Sequence, residues 1–534
     1  MAAVTALSAS RSIALLSVVI ALLALASGIQ TLPALGTSPG GVTERVSVDS
    51  QGGEADDASF EASISGDGRY VAFASVATNL VEGDTNGLTD VFRRDVISGE
   101  TLRISENSLA AGGDAQSFSP DISDDGQAVV FVSRAINLLA SGPASVALHS
   151  KVFLWLLEGD EVNLRDVIVG SEGDPANGDS SCPETAESDD GRYFAFYSLA
   201  DNLAENAGPG IYVTNWDTGE TWFLDAVPDS CGLAFSADGG RLAWAEDGKV
   251  FEWDLETNDV TAVPGPPGGA GGRSPHAGPA GVVPDGDSSD PSISGDGRYV
   301  AFRSFATNLV PGDTNGRSDI FVYDLATTET TRVSLNSEGV QGNGTSRDPS
   351  ISGGGRFVSF SSSSSNLVPG DTNGFHDIFV HDRQTGETVR VSVNPDGVGG
   401  DAHTFESAIS ANGRVVAFQS PAANLVPGDT NGKTDVFIHT LPPPPLPEGL
   451  EQGDIDCQNG VNAVDSLTLL RNSAGLGVTQ AEGCPEIGSE VASLFGDVDC
   501  DDDVDAVDAL KILRSVAAFS VSQNEPCTDI GDPF

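Results

Sequence analysis

The sequence predicts an all-β body, a seven-bladed β-propeller closed by an N-terminal strand, followed by a small all-α domain carried on EF-hand-like loops. Three observations lead there. An eleven-residue phrase recurs seven times at a near-constant spacing. The last repeat lacks a strand that the chain carries at its other end. An aspartate-rich loop near the C-terminus occurs twice.

Composition narrows the function classes first. The 534 residues hold 78 acidic and 26 basic side chains, a formal net charge of −52. Only Lys151, Lys249, Lys433 and Lys511 are lysines. Such a polyanion offers little to nucleic acid or to an anionic lipid surface, so neither is expected as a partner. The acidity suits a salt-rich or calcium-rich medium, or serves as a plain solubility coat. Residues 1–26 read as a signal peptide: Arg11 precedes an apolar run over 13–26, and Ala24-Leu25-Ala26 is a small-x-small cleavage site. That run is short for a bilayer span, so no transmembrane segment is expected after cleavage. An uncleaved anchor reaching Ile29 is the alternative. The mature chain is then secreted or held at the cell surface, with 27–41 as a flexible leader.

The repeats come next. "SISGDGRYVAF" (63–73) returns as "DISDDGQAVVF", "AESDDGRYFAF", "AFSADGGRLAW", "SISGDGRYVAF", "SISGGGRFVSF" and "AISANGRVVAF". Its serine falls at Ser65, Ser123, Ser188, Ser236, Ser294, Ser352 and Ser410, with gaps of 58, 65, 48, 58, 58 and 58 residues. Each unit reads as a short strand, a Gly/Asp turn and a second strand, then a third such as "DIFVYD" (319–324) and a fourth such as "TTRVSLN" (330–336). Four antiparallel strands with no helix between them, seven times over, predict a propeller, with a β-solenoid as the alternative. The seventh unit stops after "TDVFIHT" (434–440), while "TERVSVDSQGGEADDASFEASIS" (43–65) matches "TTRVSLNSEGVQGNGTSRDPSIS" (330–352). Residues 44–48 are therefore expected to pair with 435–439, which removes the open edge. The body spans 42–440. The stretch 263–287 reads as a surface loop, and "LPPPPLPEGL" (441–450) as a stiff spacer. Over 42–440 these motifs resemble TolB-like and WD-repeat-like propeller repeats of exported bacterial proteins. The resemblance implies the fold rather than an activity, and TolB's separate N-terminal domain has no counterpart here.

The tail, 451–534, is itself duplicated. "GDIDCQNGVNAVDSLTLLR" (453–471) aligns with "GDVDCDDDVDAVDALKILR" (496–514). Read as calcium loops, the first offers Asp454, Asp456, Gln458, the Gly460 carbonyl, Asn462 and Asp465. The second offers Asp497, Asp499, Asp501, the Asp503 carbonyl, Asp505 and Asp508. Calcium takes six to eight hard oxygens, and alternate residues of a tight loop can point theirs inward. Position 6 is Asn459 or Asp502 in place of glycine, and position 12 is Asp in place of Glu. Gln458 makes the first loop the weaker of the two. Each loop runs into one helix, and the pair resembles a type I dockerin module. That resemblance implies docking onto cohesin-like modules. Its recognition pairs, Ala463-Val464 and Ala506-Val507, are apolar where polar pairs are common. Six cysteines in an exported chain suggest disulfides. Cys457 and Cys500 share a loop position, and a partner follows each by 27 residues, which suggests Cys457–Cys484 and Cys500–Cys527. Cys182 and Cys231 remain as a pair between adjacent blades.

A second, weaker set of metal ligands is read from Asp-Thr-Asn-Gly-x-x-Asp. It comprises Asp84, Asn86 and Asp90; Asp313, Asn315 and Asp319; Asp371, Asn373 and Asp377; and Asp429, Asn431 and Asp435. The spacing matches positions 3, 5 and 9 of a calcium loop, and integrin-like propellers carry loops of a similar kind. A tight Asn-Gly hairpin with capping aspartates explains the motif equally, and no position-1 carboxylate is present.

No catalytic constellation is legible. "GTSPG" (36–40) lacks the strand-to-helix context of a nucleophile elbow. His376 and His381 flank one hairpin without a third ligand. Carboxylate pairs abound in so acidic a chain, and none stands out for glycoside hydrolysis. The sequence thus predicts an exported, calcium-binding, non-catalytic binding module, docked by its tail to a cohesin-like or other extracellular protein, with carbohydrate as a further ligand. A polysaccharide-degrading hydrolase or lyase with its site in the propeller channel is the alternative, since dockerin tails often ride on such enzymes.

Overall fold

A computed structural model describes residues 41–442, apart from 108–110, 140–148, 159–160, 167–175, 181–192, 204–206, 216–217, 219, 229–231 and 264–283. The tail, the proline spacer from 443 onward, the N-terminal 1–40 and all six cysteines lie outside the described residues.

Twenty-seven strands form seven antiparallel sheets, with no helix among the described residues. The described residues form an all-β seven-bladed propeller. Blades 1 to 7 occupy 59–103, 117–166, 193–224, 233–263, 288–332, 346–390 and 405–440. In blade 5 the strands are Ser288–Ile293, Tyr299–Ser304, Asp319–Asp324 and Glu329–Arg332, running from the central channel outward. Blade 3 has three described strands, and Ser180 bridges to Ser198 where a further one would stand. Blade 7 takes its fourth strand from the other end of the chain. Val42–Arg45 pairs with Phe437–Thr440, Glu44 standing opposite Ile438. The pairing begins two residues earlier than the sequence suggests. It ends at Arg45, because Val46 and Ser47 both turn their N–H groups to the Val436 carbonyl.

The recurring phrase has a local cause. In "SGDGRY" the Ser65 hydroxyl donates to Asp67, Asp67 accepts from the Arg69 N–H, and the Tyr70 N–H donates back to Ser65 Oγ. The glycine closes this turn at positive φ, +82° at Gly68 and +70° at Gly355. It also makes room for the neighbouring blade: a Cβ on Gly355 would lie 2.1 Å from the Tyr299 ring, and one on Gly413 would lie 2.3 Å from Phe357. Such a turn fixes its own hairpin and, at Gly126, Gly239, Gly355 and Gly413, seats an aromatic ring of the blade before it; at Gly68 the neighbour is Val415. Between second and third strands, paired phenylalanines stack, as in Phe302–Phe321 at 5.9 Å and Phe360–Phe379 at 6.0 Å. Both faces of each sheet are buried against neighbours, so the second strands read as near-continuous apolar runs.

Two adjacent glycines test this account. Gly355→Ala is expected to lower unfolding stability by about 2–4 kcal/mol, combining the left-handed backbone with overpacking against Tyr299. Gly354, with open space at its Cβ, should tolerate alanine to within about 0.5 kcal/mol. Equal urea midpoints for the two variants would contradict it.

Candidate functional site

The four Asp-Thr-Asn-Gly loops connect second to third strands in blades 5, 6, 7 and 1, a contiguous arc of the ring. The structure brings each predicted trio together and adds an arginine from the fourth strand. In blade 5, Asn315 Nδ2 donates to Asp319 Oδ2 at 2.9 Å and to the Gly342 carbonyl at 3.0 Å, while its Oδ1 accepts from the Arg317 N–H. The Ser334 hydroxyl donates to Asp319 Oδ1 at 2.6 Å. Arg332 Nη1 lies 3.4 Å from Asp313 and 3.5 Å from Asp319. The same arrangement holds Asp371, Asn373 and Asp377 around Arg390, and Asp84, Asn86 and Asp90 around Arg103. Burial pushes Asp84, Asp313 and Asp371 above the usual carboxylate range, and the guanidinium works against that rise. In all three loops the cation facing the carboxylates is an arginine, and both atoms of the asparagine amide are engaged by protein.

Blade 7 builds its loop from both chain ends. Asp435 accepts from Ser47 Oγ at 2.6 Å and from Asn431 Nδ2 at 3.1 Å. Arg45 Nη1 lies 3.5 Å from Asp435. A third carboxylate joins here. Glu54 takes Arg45 Nη1 at 2.6 Å, and its oxygens, with those of Asp429 and Asp435, lie within 4.8 Å of one another, a group able to hold a metal ion. Burial pushes Glu54 up, but hydrogen bonds from Thr430, Arg45 and Asn431 draw it down to about 2. Burial, and then Asp435 beside it, push Asp429 up to about 6.

The loops stand next to the start of each inner strand: the Ser346 N–H donates to the Ser318 carbonyl, and the Thr404 N–H to the His376 carbonyl. One step further in, the channel wall carries a feature the sequence reading missed. Every bulged inner strand holds a non-glycine residue at positive φ: Glu61 (56°), Ser119 (52°), Asp290 (52°), Asp348 (53°) and Glu406 (46°). Strand register shifts at these places. Each such residue carries strain of about 1–3 kcal/mol. Blades 5, 6, 7 and 1 thereby present four carboxyl groups in succession. Burial raises Glu61. Burial, and then Asp290, push Asp348 up to about 6. Glu406 is open to channel solvent, yet the protein around it, then Asp348 and Glu61, push it up to about 7. Arg303 reaches Asp290 at 3.4 Å and lies over the half-exposed Phe305 ring at 4.9 Å. Gln419 Nε2 donates to Glu406, and its Oε1 accepts from the Glu61 N–H.

Beside this arc, Phe375, His376, His403 and Phe405 form a cluster of rings. Arg347 Nη2 donates to His376 Nε2 at 2.9 Å, and the His376 N–H donates to His403 Nδ1 at 3.0 Å. Burial, and then Arg347, hold His376 near 4, so it is neutral at physiological pH. His381 lies apart from it, buried within blade 6 against Thr388. A clue to the missed arc was present: proline follows Ser119, Asp290 and Asp348, and proline within a strand marks an edge or a bulge.

No family model matches the sequence, and no curated protein matches it. Solved structures similar to this chain are propeller proteins. An oligogalacturonate lyase from Vibrio parahaemolyticus is 12% identical, covers 74% of this chain and 91% of its own, and has a TM-score of 0.43. TolB from Acinetobacter baumannii is 15% identical over 66% and 76%, with a TM-score of 0.32. The β-propeller domain of the Trilobed protease from Pyrococcus furiosus is 11% identical over 72% and 95%, with a TM-score of 0.42.

The channel carboxyls predict a pH dependence. Asp348 and Glu406 titrate higher folded than unfolded, so their contribution to stability is complete below about pH 4 and is lost as pH rises through 6 to 7. Asp348→Asn removes one of these groups and relieves the other. The drop in melting temperature between pH 5 and pH 8 should be smaller for the variant than for the wild type, and an equal drop would contradict the assignment.

Proposed function

We propose that this is an exported, calcium-dependent binding protein whose propeller receives a carbohydrate at the mouth of its channel. The observation carrying this reading is the arc of Glu61, Asp290, Asp348 and Glu406, held on strained bulges beside Arg303 and Arg347. Carboxyl groups on four successive blades, with the guanidinium groups of Arg303 and Arg347 near two of them, suit a chain of hydroxyl groups. Phe305 and Phe405 offer flat apolar faces next to them, and strained backbone concentrates at functional sites. The export signal and the dockerin-like tail supply the rest: calcium, bound by Asp454 to Asp508, orders the tail, and the tail docks the protein to an extracellular module.

A second reading has its own support. Carboxyl groups that titrate at about 6 and about 7 in adjacent blades are poised to exchange protons near neutrality, as polysaccharide hydrolysis or elimination requires.

One pair of assays separates the readings. A carbohydrate array probed with the full chain should show retention that weakens at least tenfold for Glu406→Gln, with no release of reducing ends or unsaturated products from the retained glycan. Product release that is lost in Glu406→Gln would favour the enzyme, and absence of retention on any glycan would contradict both. Equilibrium dialysis tests the tail: Asp508→Ala should bind one calcium fewer than the wild type.

A further inference from the structure

Four versions of one loop exist in this molecule, and one of them differs. In blades 1, 5 and 6 two loop aspartates face one guanidinium (in blade 1 Glu106 also lies 3.4 Å from Arg103 Nε), and the position opposite the fourth strand is Gly112, Gln341 or Gly399. In blade 7 that position is Glu54. Its arrival changes who serves Asp429. Asp84 and Asp313 each have a guanidinium at 3.4 Å, though each keeps its buried Oδ1 without a hydrogen-bond partner among the described residues. In blade 7 the Asn431 N–H donates to Glu54 Oε1. Arg390 comes within 3.2 Å of Asp371, whereas Arg45, drawn to Glu54, stays 3.8 Å from Asp429. Asp429 has a side-chain exposure of 2%, has no donor within hydrogen-bonding distance among the described residues, and faces two further carboxylates. Three carboxylates against one guanidinium leave the cluster two charges short, which is the charge of one divalent ion.

We infer that Glu54, Asp429 and Asp435 bind a hard divalent cation, calcium by preference, which ties the first and last segments of the propeller together at the closing blade. Calcium–oxygen distances of about 2.3–2.6 Å allow ligand oxygens up to about 5 Å apart, and the three carboxylates meet that limit. Glu54 provides the further carboxylate that the Asp429, Asn431 and Asp435 spacing lacks, and it does so only where the N-terminal segment meets blade 7. The ion takes the carboxylate that Arg45 leaves unserved and shares the other two with the guanidinium. It adds a load-sharing tie to strand pairing at the one joint where no covalent connection runs between neighbouring strands.

The test uses the full chain. All five tryptophans (Trp155, Trp216, Trp222, Trp244 and Trp253) lie in the propeller repeats, so thermal melting followed by tryptophan fluorescence reports the ring and is blind to the tail. Calcium well above its dissociation constant should raise the ring's melting temperature by about 2–6 °C over chelator. Glu54→Gln should fold, since Gln341 fills the same place in blade 5, and should abolish that rise. Asp429→Asn should abolish it too, while melting at or above wild type in chelator because it removes an unserved charge. Asp371→Asn, where the guanidinium is engaged, should show the full calcium rise. A wild-type ring indifferent to calcium, or a full rise retained in Glu54→Gln and Asp429→Asn, overturns the inference. Failure of the tail to bind calcium would leave this readout untouched.

Discussion

The carboxylate of Asp435 is fully buried. Asn431 of its own loop serves one oxygen, but the Ser47 hydroxyl, 388 residues away, serves the other, and the guanidinium beside the carboxylate is that of Arg45. A buried carboxylate deprived of its partners costs about 3–5 kcal/mol. The propeller can therefore be well formed only when its two ends meet. The same residues do the same work within blades 5 and 6, where Ser334 with Arg332, and Ser392 with Arg390, serve Asp319 and Asp377. Closure is thus one more use of a device already present in the repeat, placed where the first and last strands of the ring meet. Arginine suits the role because its planar fork stays charged and reaches two carboxylates at once.

A closed ring gives the channel its character. Inner strands are paired on one side only, so their bulges could relax if neighbouring blades did not confine them. Confinement comes from contacts that pass from blade to blade: Gln419 to the Glu61 backbone, Glu61 to the Ser119 N–H, and the rings of Tyr299 and Phe357 against the next turn. Held this way, left-handed bulges can present like charges around part of one wall, an arrangement that a flexible loop would dissolve by turning its carboxylates outward. The strain and the raised proton affinities of Asp348 and Glu406 are two consequences of the same rigidity.

Much of this was legible in the sequence, for a definite reason. The 58-residue period and the match between "TERVSVD" and "TTRVSLN" carry the arginine and serine that serve the buried aspartate, so reading the repeat also read the closure. The Asp-Thr-Asn-Gly loops were harder. Aspartate and asparagine at alternate positions look alike whether they face a metal ion or a guanidinium, and Arg332 stands thirteen residues beyond Asp319 on another strand. Only folding brings it back. The channel arc escaped notice because its meaning lies in the sign of φ at Glu61, Asp290, Asp348 and Glu406. An acidic residue in an edge strand reads as a solvated one until that backbone is known.

Hydrogen exchange of the closing strand examines the central claim most directly. If Arg45 and Ser47 hold the ring shut through Asp435, the amides of Asp435–Thr440 should exchange slowly in the wild type. In Arg45→Met they should lose protection by at least about tenfold, the cost of about 1.4 kcal/mol or more, together with Val42–Arg45, while the strands of blade 4 keep theirs. Unchanged protection of Asp435–Thr440 in that variant would show that closure rests on backbone pairing alone and would contradict the account.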